Sequence, residues 1–133
     1  MQSRDAIGRH VLADLHGIPV TSLRDRGLLL ATLREALTRE GFHILRQVSH
    51  SFPGEIAGAT GVFLLGESHA AFHSYPEFEY LSVDIFSCGS ADPAAAVAYV
   101  EAVLRPSRVH LSSHDRGLLP HFHRAAVHES PDG

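Results

Sequence analysis

Cysteine is nearly absent. Cys88 is the single one in 133 residues, which excludes an internal disulfide and a thiolate zinc cluster and leaves a reactive thiol, an intermolecular bridge or plain packing as its uses. Long apolar runs are missing as well: no stretch approaches the roughly eighteen residues a membrane helix needs, and the opening MQSRDAIGRH has no apolar segment of the signal-peptide kind. Neither a membrane span nor export is expected, and the cytoplasm is the default compartment. Basic charge is also in short supply. Lys and Arg number 11 against 15 Asp and Glu, a formal net charge of −4, so the chain has no electrostatic footprint for a polyanion and nucleic acid is not an expected partner.

What is present suits one globular domain spanning residues 1–133. Hydrophobic residues at 44% and charged residues at 20% can build a core and give no support to disorder. The length matches a common domain size, and no internal repeat appears. Eleven histidines are many for such a chain; neutral imidazoles permit metal binding, acid–base work or pH sensing without choosing among them.

The segment Arg9 to Leu15 reads as a first strand, closed by Gly17 and Pro19. A helix is expected from an N-cap at Thr21 or Ser22 to a stop at Gly41, with Leu23, Leu30, Leu33 and Leu37 at helical spacing. Phe42 to Val48 reads as a strand, Ser51 to Gly61 as a loop, and Val62 to Leu65 and His69 to Tyr75 as an antiparallel pair about Gly66-Glu67-Ser68. Tyr80 to Cys88 alternates, with Leu81, Val83 and Ile85 on one side. Asp92-Pro93 caps a second helix that runs to Leu104, and Arg108 to Ser113 is the last clear strand; beyond Gly117 the patterning is weak and fraying is expected. The order β, α, β, β, β, β, α, β predicts an α+β two-layer sandwich, a mainly antiparallel sheet with helices on one face. The other face of the sheet, polar and aromatic by alternation, is expected to meet a second copy in a homodimer.

Reactive side chains gather at Glu67-Ser68-His69, at His73 and at Cys88. Ser68 follows a carboxylate in a predicted turn, where the peptide it shares with Glu67 can be strained, and the pleat is expected to project His73 back toward that turn. Each residue alone has an ordinary explanation: a serine in a turn, a surface or satisfied histidine on a strand, a buried lone cysteine. His110 and His114, four apart, have ligand spacing only on a helix and straddle the end of a predicted strand, and His121 and His123, two apart, have no nearby carboxylate or thiol pattern, so no metal is expected.

The run Gly66-Glu67-Ser68-His69-Ala70-Ala71-Phe72-His73-Ser74-Tyr75-Pro76-Glu77, followed by Val83-Asp84-Ile85-Phe86-Ser87-Cys88-Gly89, resembles the bacterial and archaeal S-adenosylmethionine decarboxylase proenzymes. Gly8-Arg9-His10, Arg108-Val109-His110 and His114-Asp115-Arg116-Gly117 extend the resemblance over about residues 8 to 117. It implies a self-processing, pyruvoyl-dependent enzyme. Attack of the Ser68 hydroxyl on the Glu67 carbonyl, an N-to-O acyl shift and β-elimination would release a β chain of residues 1–67 and leave a pyruvoyl group at the head of an α chain, 68–133. By the same resemblance His73 removes the α-proton in the elimination, and the pyruvoyl ketone takes the substrate amine as a Schiff base and acts as electron sink. Cys88 returns a proton to the α-carbon; an ordinary thiol, with pKa about 8.5, carries that proton at neutral pH. The small-molecule substrate, S-adenosylmethionine, would be bound by Phe52 and Tyr75 stacking on adenine, with Glu77 touching the ligand and Thr60 lining the pocket.

Tyr75 stands where relatives carry tryptophan, Glu79 replaces a small residue, and the loop from Phe52 to Gly61 is about two residues longer. Because some relatives decarboxylate ornithine or arginine, and Glu79 could pair with an ammonium or guanidinium, a basic amino-acid decarboxylase is the second reading. An unprocessed, histidine-rich binding homologue is the third; the joint presence of Ser68, His73 and Cys88 speaks against it.

Overall fold

Alternation along the chain resolves into six strands in the computed structural model, which describes residues 6–118. The weak tail, with His121 and His123, lies outside the described residues apart from Leu118. The strands are β1 Ala6–His16, β2 Ile44–Ser51, β3 Ala59–Leu65, β4 Ser68–Tyr75, β5 Tyr80–Ser87 and β6 Arg108–Leu118. The helices are α1 Val20–Leu23, α2 Arg26–Arg39 and α3 Pro93–Leu104, and Pro76–Phe78 forms a single 3₁₀ turn. The strands make one sheet in the order β2-β3-β4-β5-β1-β6. Every neighbouring pair is antiparallel, and α2 and α3 lie side by side over one face, so the predicted two-layer α+β sandwich is what forms.

Several predicted boundaries are corrected. The loop expected from Ser51 to Gly61 is shorter, because β2 runs on to Ser51 and β3 starts at Ala59 and not at Val62, with Ser51↔Ala59, His50↔Thr60 and Ser49↔Gly61 paired. The helix expected from Thr21 or Ser22 is broken: those residues sit in the short α1 behind Pro19, and the long helix starts at Asp25, whose carboxylate accepts the Leu28 N–H at 3.0 Å. An aspartate free to turn back on N3 satisfies an otherwise orphaned donor, which the two hydroxyls inside α1 cannot do. The last strand runs past Ser113 to Leu118, because β1 reaches back to Ala6 and supplies partners for the added residues, His10↔His114, Arg9↔Asp115, Gly8↔Arg116 and Ala6↔Leu118. By contrast Asp92 caps α3 as expected, accepting from Ala94 N at 2.9 Å and from Ala95 N at 3.3 Å, with Pro93 first in the helix.

The period of two sorts side chains cleanly. Val11, Ala13 and Leu15 of β1, Phe63 and Leu65 of β3, Ala70 and Phe72 of β4, and Leu81, Val83 and Ile85 of β5 are buried against Leu29, Leu33, Leu37, Val97 and Val100 of the helices. Ser74, also on this side, is buried yet satisfied: its hydroxyl donates to Leu23 O at 2.8 Å and accepts from Ala59 N at 2.9 Å, tying β3 and β4 to α1. Gly58 precedes this junction, and a Cβ there would lie 2.1 Å from Ser74 O, so only glycine fits.

The opposite face carries no element among the described residues. Register lays its side chains in rows across the strands: Arg46, Leu64, His69, Phe86, His10, His114; then Val48, Val62, Ala71, Asp84, Leu12, Ser112; then His50, Thr60, His73, Ser82, Asp14, His110. Val48 (66%), Leu64 (52%) and Leu12 (41%) leave apolar surface open there. No helix of the described residues is long and apolar enough to cross a membrane.

Candidate active site

The hairpin between β3 and β4 closes in two residues, Gly66 and Glu67, and Glu67 takes the left-handed conformation, φ 60°. A side chain there costs about 1–2 kcal/mol relative to ordinary backbone. The strain sits at the residue that contributes the carbonyl of the Glu67–Ser68 peptide. Cys88, just past the end of β5, faces it. Its thiol donates to the Glu67 carbonyl oxygen at 3.1 Å, and its backbone N–H donates to Ser68 Oγ at 3.3 Å. The sulfur is 3.7 Å from Ser68 Oγ. One residue therefore holds both the carbonyl that a serine would attack and the hydroxyl that would attack it, in a partly buried position. Polarising the first and steadying the second are what an internal acyl shift requires.

Ser87 reinforces the position of Cys88: it is buried, and its hydroxyl donates to Ala91 O at 3.0 Å and accepts from Gly89 N at 3.4 Å, folding the loop back over the strand end.

The expected substrate residues come together elsewhere. Phe52, Thr60, Tyr75 and Glu77 line one cavity of about 680 Å³, with Glu55, Ile56 and His73. That volume suits a small organic molecule. The aromatic walls are braced: Phe52 packs edge-on against His50 at 4.8 Å, and Tyr75 stacks on Tyr80 at 5.6 Å, which in turn stacks on His16 at 5.1 Å. Tyr80 donates to Asp14 in a short hydrogen bond. Burial of the phenol, then the Asp14 hydrogen bond and charge, push its pKa up to about 12. His73 Nδ1 and Thr60 Oγ1 are 2.9 Å apart, bonded across β3 and β4.

The pleat does not return His73 to Ser68. Five residues separate them on β4, an odd number, so they point to opposite faces, and at about 3.3 Å per residue they stand roughly 16 Å apart. Within one chain the Glu67–Ser68 turn and the cavity are two separate places. Glu79 is the second correction. It does not line the cavity; it sits at φ 52° after the 3₁₀ turn, and its carbonyl accepts Gly17 N at 2.9 Å and Ile18 N at 3.2 Å. Its carboxylate therefore lends no support to recognition of a basic side chain there.

One cluster escaped the sequence reading. Asp84 Oδ1 accepts from His10 Nε2 at 3.0 Å and from His69 Nε2 at 3.1 Å, on β5, β1 and β4. Two imidazoles and a carboxylate are ligand types for zinc or iron, and among the described residues this is where such atoms converge, within 4.8 Å of one another. Arg116 orients the ring: its guanidinium, which can only donate, lies 3.2 Å from His10 Nδ1, so that nitrogen accepts and Nε2 is the one that donates to Asp84. A cation on Nε2 would place the proton on Nδ1 against the guanidinium, so the cluster is built as a hydrogen-bonded chain. His110 and His114 lie on one face of β6, four residues apart and too distant to share a ligand.

Likeness to known proteins defines first a class. A family model described as S-adenosylmethionine decarboxylase matches residues 9–117. The S-adenosylmethionine decarboxylase proenzyme of Anoxybacillus flavithermus is 33% identical over 116 residues, covering 87% of this chain and 92% of the relative. That of Pyrobaculum aerophilum is 35% identical over 116 residues, covering 86% and 92%. The crystal structure of the adenosylmethionine decarboxylase from Aquifex aeolicus superposes with a TM-score of 0.79 at 29% identity, covering 90% of this chain and 98% of that one. The chain is thus an enzyme of the decarboxylase class. More narrowly, it belongs to the S-adenosylmethionine decarboxylase family, whose relatives here carry that substrate's name and not ornithine's or arginine's.

Proposed function

We propose that the chain is the precursor of a decarboxylase acting on S-adenosylmethionine, that it cuts itself between Glu67 and Ser68 into residues 1–67 and 68–133, and that the new terminus becomes its pyruvoyl cofactor. The observation that carries this reading is the grip of Cys88 on both atoms of the reacting pair, the Glu67 carbonyl at 3.1 Å and the Ser68 hydroxyl at 3.3 Å. Ser68 Oγ forms a bond to the Glu67 carbonyl carbon, the amide C–N bond breaks, and the nitrogen takes the hydroxyl proton. Loss of the Ser68 α-proton then breaks the Cβ–O bond and frees the Glu67 carboxylate. One water adds to the dehydroalanine that remains and one ammonia leaves. Release of the left-handed Glu67 from its turn favours the cut.

The pyruvoyl ketone, once formed, supplies an electron sink for decarboxylation. The fit is chemical: Ser68 is the source, and Cys88 sits on it. The Cys88 thiol, 3.7 Å from Ser68 Oγ, holds the proton that the product carbon needs. Phe52 and Tyr75 offer ring faces to an adenine, and the Glu55 and Glu77 carboxylates offer negative charge to a sulfonium. Decarboxylated product of this kind is the aminopropyl donor for spermidine. A working free thiol favours a reducing compartment, the cytoplasm.

Because cavity and cleavage site are separate in one chain, we infer that two copies complete each other. A two-fold axis crossing the strands near the Val62, Ala71, Asp84, Leu12 row, with the open faces together, sets the Glu67 end of one copy over the His73 and Tyr75 end of the other. It also covers Val48, Leu64 and Leu12. The test is direct: intact mass of purified protein is expected to give two fragments cut before Ser68, and carbon dioxide to be released from S-adenosylmethionine rather than from ornithine or arginine. A single uncut chain, or release from the amino acids alone, overturns the reading.

A further inference from the structure

Behind the reacting peptide, a chain of hydrogen bonds runs across four neighbouring strands: Arg116 on β6 to His10 on β1, His10 to Asp84 on β5, and His69 on β4 to the same Asp84 oxygen. Its end, His69, is the residue directly after Ser68. We propose that Asp84 is a positioning residue for self-cleavage, acting through His69 to fix where Ser68 presents its hydroxyl; the proposal rests on the self-processing reading.

The geometry favours positioning over plain stabilisation. Asp84 and His69 are partly open to water, with side chains 28% and 45% exposed, where an ion pair adds little to folding. Direction, however, is tightly set. His69 and His10 flank Phe86, the central ring of their row, and both reach diagonally to one oxygen in the next row. The His69 ring also lies nearly parallel to Phe86, 28° at 6.0 Å, and His10 meets His69 edge-on at 5.4 Å. With its Nε2 tied and its ring stacked, His69 has one orientation, and the pleat of β4 at residue 69 is held with it. Ser68 is the first residue of that strand and follows a strained turn, so β4 is the rigid side from which its hydroxyl is aimed. Misplacement of a reacting atom by an ångström costs on the order of 100-fold in rate.

The experiment follows cleavage of freshly synthesised full-length precursor by mass, with folding checked by circular dichroism. Asp84→Ala and His69→Ala are each expected to slow cleavage about 10-fold or more, and the double variant to be no slower than the slower single, since both break one contact. Asp84→Asn keeps the accepting oxygen and His69→Gln keeps a donor at the Nε2 position, so each is expected within about threefold of the parent, a rescue that loss of bulk packing would not produce. If Asp84→Ala does not fold, the half-exposed His69→Ala and His69→Gln pair decides. Cleavage of either folded alanine variant at the parent rate, effects that multiply in the double, or a parent rate changed by added zinc or a chelator each overturns the proposal. A parent that never cleaves instead removes the self-processing reading itself.

Discussion

The sulfur of Cys88 stands 3.1 Å from the carbonyl oxygen of Glu67, while the nitrogen of the same cysteine stands 3.3 Å from the Ser68 hydroxyl. These contacts separate under mutation, because one belongs to the side chain and the other to the backbone. Cys88→Ala is expected to cleave, slowed by no more than about tenfold, since the N–H on Ser68 remains and a thiol is a weak donor. Its decarboxylation is expected to fall by about 100-fold or more, the usual loss when a proton donor is removed. Ser68→Ala is expected not to cleave at all. Mass spectrometry and carbon dioxide release, run on the same samples, check all three.

The left-handed turn residue makes a stability prediction. In an uncleavable Ser68→Ala background, Glu67→Gly removes a side chain from φ 60° and is expected to stabilise the precursor by about 1 kcal/mol, partly offset by the freer unfolded chain. Glu67→Val, branched at Cβ, is expected to destabilise it. Urea unfolding midpoints of the three precursors measure this, and a Glu67→Gly precursor weaker than its parent removes the strain from the account.

How far the sequence could be read depended on whether the cause was local. Alternation in Tyr80 to Cys88 and the Asp92-Pro93 cap were legible because neighbours in the chain decide them. The start of α2 was misplaced because Thr21, Ser22 and Asp25 are all acceptable caps, and Pro19 with its own short turn selects the last. The end of β6 was missed because His114, Asp115 and Arg116 carry no strand signal and are held by the ladder to β1. The separation of His73 from Ser68 was available from parity, since an odd spacing on a strand changes face. The Asp84 cluster was out of reach: His10 and Asp84 are 74 positions apart, and sheet register alone joins them.

Tyr80 offers a pH prediction. Its pKa, raised to about 12 by burial and then by Asp14, exceeds the unfolded value of 10.0. A group whose folded pKa is raised contributes stability that is complete below the unfolded pKa and is lost as pH climbs through the folded one. Stability is therefore expected to decline between pH 10 and about 12, and that slope is expected to flatten in Tyr80→Phe. Denaturant midpoints in steps of pH, with the phenolate absorbance followed in parallel, test it; an identical slope in both proteins shows that another group is responsible.

A subunit-shared site gives the strongest test of the assembly. Ser68 and His73 lie roughly 16 Å apart on opposite faces of β4 in one chain, so in the proposed dimer the His73 that serves the elimination is the one from the other copy. Ser68→Ala alone has no nucleophile, and His73→Ala alone lacks the base in both halves of its dimer; neither is expected to cleave at an appreciable rate. In a mixed dimer the arrangement changes. The His73→Ala chain keeps its own serine and now faces the intact histidine of the Ser68→Ala chain. Co-expression with different tags is therefore expected to restore cleavage, and only in the chain bearing His73→Ala, to at most one cut per dimer. The same pairing is expected to rebuild one cavity, lined by Phe52, Tyr75 and Glu77 of the Ser68→Ala chain, over the cleaved terminus. Decarboxylation should return with the cut. If mixed dimers form, as shown by double-tag purification, and neither chain is cleaved, the histidine is not delivered across the interface and the two-copy arrangement falls.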